Sequence, residues 1–340
     1  MSTPLLEVRD LCVSFATRDG VVRAVDGLSF SVDAGEALGI VGESGSGKTV
    51  SSLSILRLFG LFDDVTLSGE ILFEGRDLLR ISEAELSRIR GGKIGMVFQD
   101  PLTSLNPVMP VGEQVAESIR FHTGATRPQA RKRAIELLDR VGIPDAAKRC
   151  DELPHSFSGG MRQRVMVAIA IACEPKLLIA DEPSTALDVT VQAQILLLLD
   201  ELRRELGIAL IMITHDFGVV AATVDRVLVM YAAQPMEYCT IEHLFDRANH
   251  PYTEGLLRLV PRLDHRMGGR LRPIEGQPPA LTEEISGCPF APRCGLAEER
   301  CHNDRPPLVR LGPHHESACW LATERAARLT TPGRPWETPS

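Results

Sequence analysis

The chain is expected to fold as an α/β protein on a largely parallel sheet, with an antiparallel N-terminal part, a helical insertion and a cysteine-bearing C-terminal extension. Three observations lead there. Ala37 to Val41 is a compact apolar run that ends in the glycine-rich stretch GESGSGKT, Gly42 to Thr49; strand, glycine loop and then helix is the order of a phosphate-binding unit. Apolar runs recur at Ile94 to Phe98, Leu177 to Ala180, Ala209 to Ile213 and Val227 to Met230, separated by helical stretches such as Val191 to Leu206, as in a sheet with helices on both faces. Beyond about Pro261 the composition changes. The last 80 residues hold 12 of the 23 prolines and four of the eight cysteines, which opposes long helices and sheets.

Before the glycine loop the pattern is short and alternating. Leu11, Val13 and Phe15 share one face, and the Arg-Asp-Gly stretch at Arg18 to Gly20 supplies a turn, so antiparallel strands are expected up to about Val32. Between Val111 and Val141 the spacing favours helices: Ala130, Ala134, Leu137, Leu138 and Val141 form one apolar stripe, and Gly142 follows as a stop. The four basic residues Arg127, Arg131, Lys132 and Arg133 read as a solvated helix face rather than a nucleic-acid patch, because the chain as a whole carries a formal charge of −8.

Size and composition set outer limits. With 340 residues the chain exceeds the ~250–300 at which single cores stop growing, so one large domain with an appendage is expected. The apolar run Val165 to Cys173 falls far short of the ~18 residues needed to span a bilayer. The N-terminus has neither a basic flank nor a long apolar core, so no secretory signal is expected and the protein should stay in the cytosol. In that reducing compartment the eight cysteines are not expected to form structural disulfides.

The chemistry is concentrated in a few motifs. In Gly42 to Thr49 the glycines let backbone N–H groups turn toward phosphates, Lys48 can reach the β- and γ-phosphates, and the Thr49 hydroxyl can hold Mg²⁺, which points to a nucleoside triphosphate. The candidate contacts are Gly42, Ser44, Gly45, Ser46, Gly47, Lys48 and Thr49. The apolar run Leu177 to Ala180 delivers Asp181 and Glu182 at its end; the first can act on Mg²⁺, and the second stands where a carboxylate can serve as general base. Ser158, Gly159 and Gly160 of the stretch FSGGMRQR, Phe157 to Arg164, would offer a hydroxyl and uncrowded N–H groups at a helix start, an anion site.

These residues together resemble the ATP-binding cassette (ABC) ATPases, a P-loop NTPase family with a RecA-like core, an antiparallel β subdomain and a helical subdomain. FSGGMRQR resembles the family's signature motif, with Phe157 where a leucine is usual and Met161 as in peptide importers. The resemblance implies that Glu182 polarises the attacking water, that Gln99 is the glutamine contacting Mg²⁺ and water, that His215 contacts the γ-phosphate, and that Ser184 to Asp188 crosses a dimer interface. It implies also that Phe15 stacks on adenine; Phe15 also continues the Leu11/Val13 face, so core is the alternative. The run QDPLTSLNP, Gln99 to Pro107, and the stretch from His250 through Cys294 are similar to peptide and nickel importers, most of all to dipeptide-importer ATPases.

The expected organisation is then a nucleotide-binding domain over residues 1–260, with its helical subdomain at about 100–172, an importer extension over 261–330 and a disordered tail at 331–340. The expected function is binding and hydrolysis of ATP to power di- or oligopeptide import from the cytoplasmic face of the membrane. Two transmembrane permease subunits, a second cassette subunit of the same or a related chain and, indirectly, an extracytoplasmic peptide-binding protein are the expected partners, with no nucleic acid. A nickel importer is the alternative; a soluble cassette ATPase acting on nucleic acid is a more distant one, since the chain shows neither a long coiled coil nor a second cassette.

Cys288, Cys294, Cys301 and Cys319 are spaced C-x₅-C-x₆-C-x₁₇-C in a segment with little apparent core. Metal ligation would replace missing hydrophobic burial there. Structural zinc usually shows tighter pairs, whereas the wide gaps suit a bulkier 4Fe–4S cluster, which is also what the resemblance implies; Zn²⁺ and unligated thiols are the alternatives.

Overall fold

The structure, a computed structural model, describes residues 3–60, 64–183, 188–259, 274–283 and 285–329. It divides into two compact units, Met1–Glu7 with Ser31–Ala37 and Leu72–Thr214, and Val8–Phe30 with Leu38–Ile71 and His215–Ser340. The described strands are, in chain order, β1 (Leu6–Thr17), β2 (Gly20–Val32), β3 (Ala37–Val41), β4 (Val65–Phe73), β5 (Arg76–Asp77) and β6 (Ile94–Val97). They continue with β7 (Leu177–Asp181), β8 (Ala209–Thr214), β9 (Arg226–Tyr231), β10 (Gln234–Thr240), β11 (Val309–Gly312) and β12 (His315–Ser317).

In the first unit β6, β7 and β8 run parallel, with Ile94 opposite Leu177, Leu177 opposite Ala209 and Asp181 opposite Ile213. Every residue of β7 and β8 is buried, which is why both read as unbroken apolar runs and not as alternating ones. Between β6 and β7 the chain is helical, chiefly in Val111–Thr123, Arg127–Arg140 and Gly159–Ala170. The middle helix buries Ala130, Ala134, Leu137 and Leu138, the stripe expected of 3.6-residue periodicity. It ends at Val141, and Gly142 follows with φ 79°. The basic residues at its start are engaged on the surface: Arg131 makes a two-pronged contact with Asp151 at 2.7 and 2.8 Å, and Arg133 reaches Glu136 and Glu174.

In the second unit β1 lies between β2 and β4 in a four-stranded sheet, and the turn after Thr17 is fastened by the Thr17 hydroxyl donating to the Gly20 carbonyl at 2.7 Å. β3 pairs with β9 in parallel. β9 turns into β10 through Ala232 and Ala233 at φ 45° and 69°, a left-handed pair that alanine adopts at a cost of about 1 kcal/mol or more per residue. The proline-rich C-terminal segment extends this sheet, because β12 pairs antiparallel with β10 and β11 with β12. The joint is a fully buried carboxyl, Glu237, on β10. It accepts from the main-chain N–H groups of Asn249 (2.7 Å) and His250 (2.9 Å), and lies 2.9 Å from His315 Nε2 on β12. Burial pushes the His250 imidazole down to about 4, so at neutral pH it is an uncharged ring whose Nδ1 accepts from the Tyr252 N–H (3.1 Å) at the start of the helix Pro251–Leu257.

Removing the Glu237 carboxyl leaves two buried N–H donors without an acceptor, at about 1–3 kcal/mol each. Glu237→Ala should therefore lower the unfolding free energy by about 2–5 kcal/mol in a urea titration, and Glu237→Gln, which keeps one acceptor oxygen, by less. A loss below about 0.5 kcal/mol for the alanine variant would show that this joint does not hold β10, β12 and the helix together.

Candidate functional site

The glycine loop leaves β3 and enters the helix Lys48–Ile55. Its two ends tolerate no side chain. A Cβ on Gly42, φ 154°, would stand 2.1 Å from the Met230 carbonyl oxygen, and one on Gly47, φ 97°, would stand 2.3 Å from the Ala24 carbonyl oxygen. Ser44 and Gly45 are exposed at the tip while Ser46, Gly47 and Lys48 are buried. The helix start has no side-chain cap and no acidic residue in its first turn, so its amide groups and the positive end of its dipole are available to an anion. Lys48 is only 5% exposed, with Nζ donating to the carbonyls of Gly42 and Glu43 at 2.9 Å each and to Ser46 Oγ at 3.4 Å. A buried cation is thus held inside a glycine loop that leads into an uncapped helix start, an arrangement suited to a polyphosphate.

In the first unit β7 ends on Asp181, which is buried. Glu182 follows with φ 45°, a left-handed conformation that a glutamate adopts only where its surroundings impose it. Its N–H donates to the Ile213 carbonyl at 2.9 Å, and its carboxyl accepts from Gln99 Nε2 at 2.8 Å. Gln99 follows β6 and is exposed. Two residues 83 positions apart, singled out separately in the sequence, are therefore brought into direct contact. Ser158 caps the helix Gly159–Ala170, accepting from the Met161 N–H at 3.3 Å. Ser158 and Gly159 are exposed, and Phe157 is buried beneath them at 2% exposure. Gly160 is required by packing, since a Cβ there would lie 2.6 Å from Val191 Cγ1.

His215 is exposed directly after β8, and Asp216 caps the helix Phe217–Thr223 by accepting from the Gly218 N–H at 2.8 Å. Phe15 is half-buried and meets Phe59 edge-on at 5.8 Å between centroids, whereas Leu11 and Val13 are fully buried. Ser184 to Leu187 lie outside the described residues; Asp188 caps the helix Val189–Leu206 by accepting from the Val191 N–H.

Cys288, Cys294, Cys301 and Cys319 line a single cavity, walled also by Phe290 and Trp320. Burial raises the thiols of Cys294 and Cys319 and pushes Cys288 up to about 11, so these three thiols stay protonated at neutral pH. Their sulfurs are spread: among the described residues the one group of three or more such ligand atoms within 4.8 Å of one another is Glu237, Cys239 and His315. Sulfurs around one zinc, with Zn–S near ~2.3 Å, would be closer together than that. Sequence reasoning did not single out Glu43, Tyr252, Arg293 or Glu237, which surround the phosphate loop and the sheet joint. Only their spatial neighbours mark them.

Among the described residues no helix is long and apolar enough to cross a membrane. The family model for the ABC transporter matches residues 25–185, and the model for the oligopeptide/dipeptide transporter C-terminal region matches 236–301. The oligopeptide transport ATP-binding protein OppD of Haemophilus influenzae is 50% identical over 322 residues, covering 95% of this chain and 98% of that one. Its namesake from Salmonella typhimurium is 52% identical and covers 94% of both chains. Among solved structures, the dimeric post-hydrolysis state of the ATP-binding cassette MJ0796 bound to ADP and Pi aligns with a TM-score of 0.62 at 27% identity, over 69% of this chain and 98% of that one. The loop geometry, the Gln99–Glu182 contact and half-identity across nearly the whole length agree, and the chain belongs to the ATP-binding proteins of the ABC transporters, within the oligopeptide and dipeptide transport branch.

Proposed function

We propose that this protein is the ATP-hydrolysing subunit of a peptide importer, binding ATP on Gly42–Thr49 and passing the energy of hydrolysis to separate membrane-spanning permease subunits. The observation that carries the reading is the phosphate loop, with its buried Lys48, exposed tip and uncapped helix start, in a chain 50% identical to an oligopeptide transport ATP-binding protein. Lys48 neutralises charge on the β- and γ-phosphates, and Phe15 stacks on adenine. Thr49, Asp181 and Gln99 would hold Mg²⁺, whose charge offsets that developing on the phosphoryl group. Glu182, oriented by Gln99 through the 2.8 Å contact, takes a proton from the attacking water or orients it, and His215 meets the γ-phosphate. Ser158, Gly159 and Gly160 complete the site of a second cassette subunit. The exposure of Ser158 and Gly159, and the dimeric state of the MJ0796 cassette with ADP and Pi, support that arrangement.

The four-cysteine cavity we read as the seat of a 4Fe–4S cluster. Cys288, Cys294, Cys301 and Cys319 would hold it, and it would fasten a segment rich in proline as a structural or redox-responsive element. Four thiols lining one cavity, spaced along the chain more widely than usual zinc pairs, support the larger group.

Glu182→Gln should leave ATP binding nearly intact and lower turnover by about 10²-fold or more, whereas Lys48→Ala should weaken binding itself, since it removes a charge-assisted contact to phosphate. Steady-state hydrolysis and equilibrium nucleotide binding separate the two effects, and hydrolysis retained in Glu182→Gln within the assembled transporter would remove the general-base assignment. In detergent the protein should co-purify with multi-span permease subunits and a second cassette subunit; recovery only as a species bound to nucleic acid would overturn the transport reading. Anaerobically purified protein should be brown, with iron and sulfide near ~4 each per chain, and Cys294→Ser should bleach it. Stoichiometric zinc without visible absorbance would replace the cluster by the smaller ion.

A further inference from the structure

Glu43, the second residue of the phosphate loop, is gripped at both of its polar ends. Its main-chain N–H donates to the Tyr252 hydroxyl at 3.0 Å. Its carboxylate oxygens accept from Arg293 Nη1 at 3.1 and 3.0 Å. Arg293 lies 250 positions away in the sequence and is fully engaged: Nη1 also reaches the Tyr231 hydroxyl (3.1 Å), Nε donates to the Glu275 carbonyl (2.9 Å) and Nη2 to the Ile274 carbonyl (3.0 Å). Its side chain is 6% exposed, with the guanidinium 5.6 Å above the Tyr231 ring. A planar guanidinium with all its edges occupied acts as a rigid strut, and burial spares the ion pair much of the screening that makes exposed pairs nearly worthless.

The strut is rooted among the cysteines. Arg293 belongs to the turn Ala291–Arg293 between Cys288 and Cys294, closed by the Ala291 N–H on the Cys288 carbonyl (3.0 Å) and the Cys294 N–H on the Ala291 carbonyl (3.2 Å). Tyr252 comes from the same place by another route: the two residues before it, His250 and Pro251, line the four-cysteine cavity. Phe290, also in that wall, closes the two routes into one block, with ring centroids 5.5 Å from Tyr231 and 5.2 Å from Tyr252. Glu43 is not among the candidate phosphate contacts, so gripping phosphate by itself calls for none of this.

We propose that the cysteine segment braces the phosphate loop through Arg293 and Tyr252, making Arg293 a positioning residue for ATP and letting the arrangement of the cysteine cavity set nucleotide affinity. The proposal rests on the ATP-binding reading of Gly42–Thr49. A loop whose first turn is pinned presents its N–H groups already ordered, so part of the ordering cost of binding is removed in advance. When the strut is cut, that cost returns to the binding step. Affinity falls while the chemistry at Glu182, which the strut does not touch, changes less.

The test uses the full-length chain, a fluorescent ATP analogue for affinity, and KM and kcat measured separately. Arg293→Ala should weaken binding by about 10-fold, within the ordinary range of coupling between sites, with the loss in KM more than in kcat, and Arg293→Lys should recover part of it. Glu43→Gln should weaken binding in the same way, and the double variant should be no weaker than the worse single one, because Arg293→Ala already removes the contact that Glu43→Gln cuts. Cys294→Ser should also weaken binding and add little to Arg293→Ala. Affinity unchanged in a folded Arg293→Ala, or losses that multiply in the double variant, would overturn the brace. If Arg293→Ala does not fold, Glu43→Gln decides, since it leaves the cysteine turn intact and an unchanged affinity there would overturn it equally. Lys48→Ala separates the two levels: binding lost there but unchanged in Arg293→Ala rejects the brace alone, whereas binding unchanged in both rejects the ATP site itself.

Discussion

The constraint on which this protein turns is steric. A loop that must aim its amide groups at phosphate can carry no bulk at its bends, and here the backbone closes on it from both sides, the Met230 carbonyl at Gly42 and the Ala24 carbonyl at Gly47. Those two contacts tie the loop to the end of β9 and to β2, while the Ser46 carbonyl accepts from the Ala233 N–H in the β9–β10 turn. The left-handed alanine pair in that turn is therefore held in part by the loop it supports. Strain in the turn and order in the loop are two sides of one arrangement, in keeping with the clustering of unusual backbone at functional sites.

Much of this was legible in the sequence because the signals are local. β3 occupies the same span as the apolar run Ala37 to Val41, and β6, β7, β8 and β9 differ from their runs by a residue or so at an end, since strands buried on both faces cannot hide their composition. The stripe from Ala130 to Leu138 marked its helix for the complementary reason. Glu182 was recognisable from its place after a strand and Gln99 through the family resemblance, and their contact follows from the parallel register of β6 and β7.

What the sequence did not reveal is long-range. β11 and β12 are four and three residues long, too short and too mixed in polarity to stand out in a proline-rich segment, and they exist because β10 offers an edge. Arg293 looks like any surface arginine until Glu43, Tyr231 and two carbonyls surround it. Glu237 reads as an ordinary acidic residue in a strand of mixed polarity, yet it accepts from the consecutive N–H groups of Asn249 and His250 and meets His315 of β12. Composition sets the segment apart by its prolines and cysteines. It could not indicate that the segment would be stitched to the nucleotide-binding part by buried polar contacts, whose cost when broken exceeds their worth when made.

The central claim is that this chain binds ATP on its glycine loop and lends Ser158 to Gly160 to the nucleotide of a second cassette. The most direct measurement is a cryo-electron microscopy structure of the assembled transporter carrying Glu182→Gln, trapped with ATP and Mg²⁺. The expected result is ATP seated on Gly42–Thr49, with the signature residues of the second cassette closing over it and Ser158 of this chain facing the opposite nucleotide. Nucleotide bound without any contribution from a second subunit, or bound away from the glycine loop, would contradict the account.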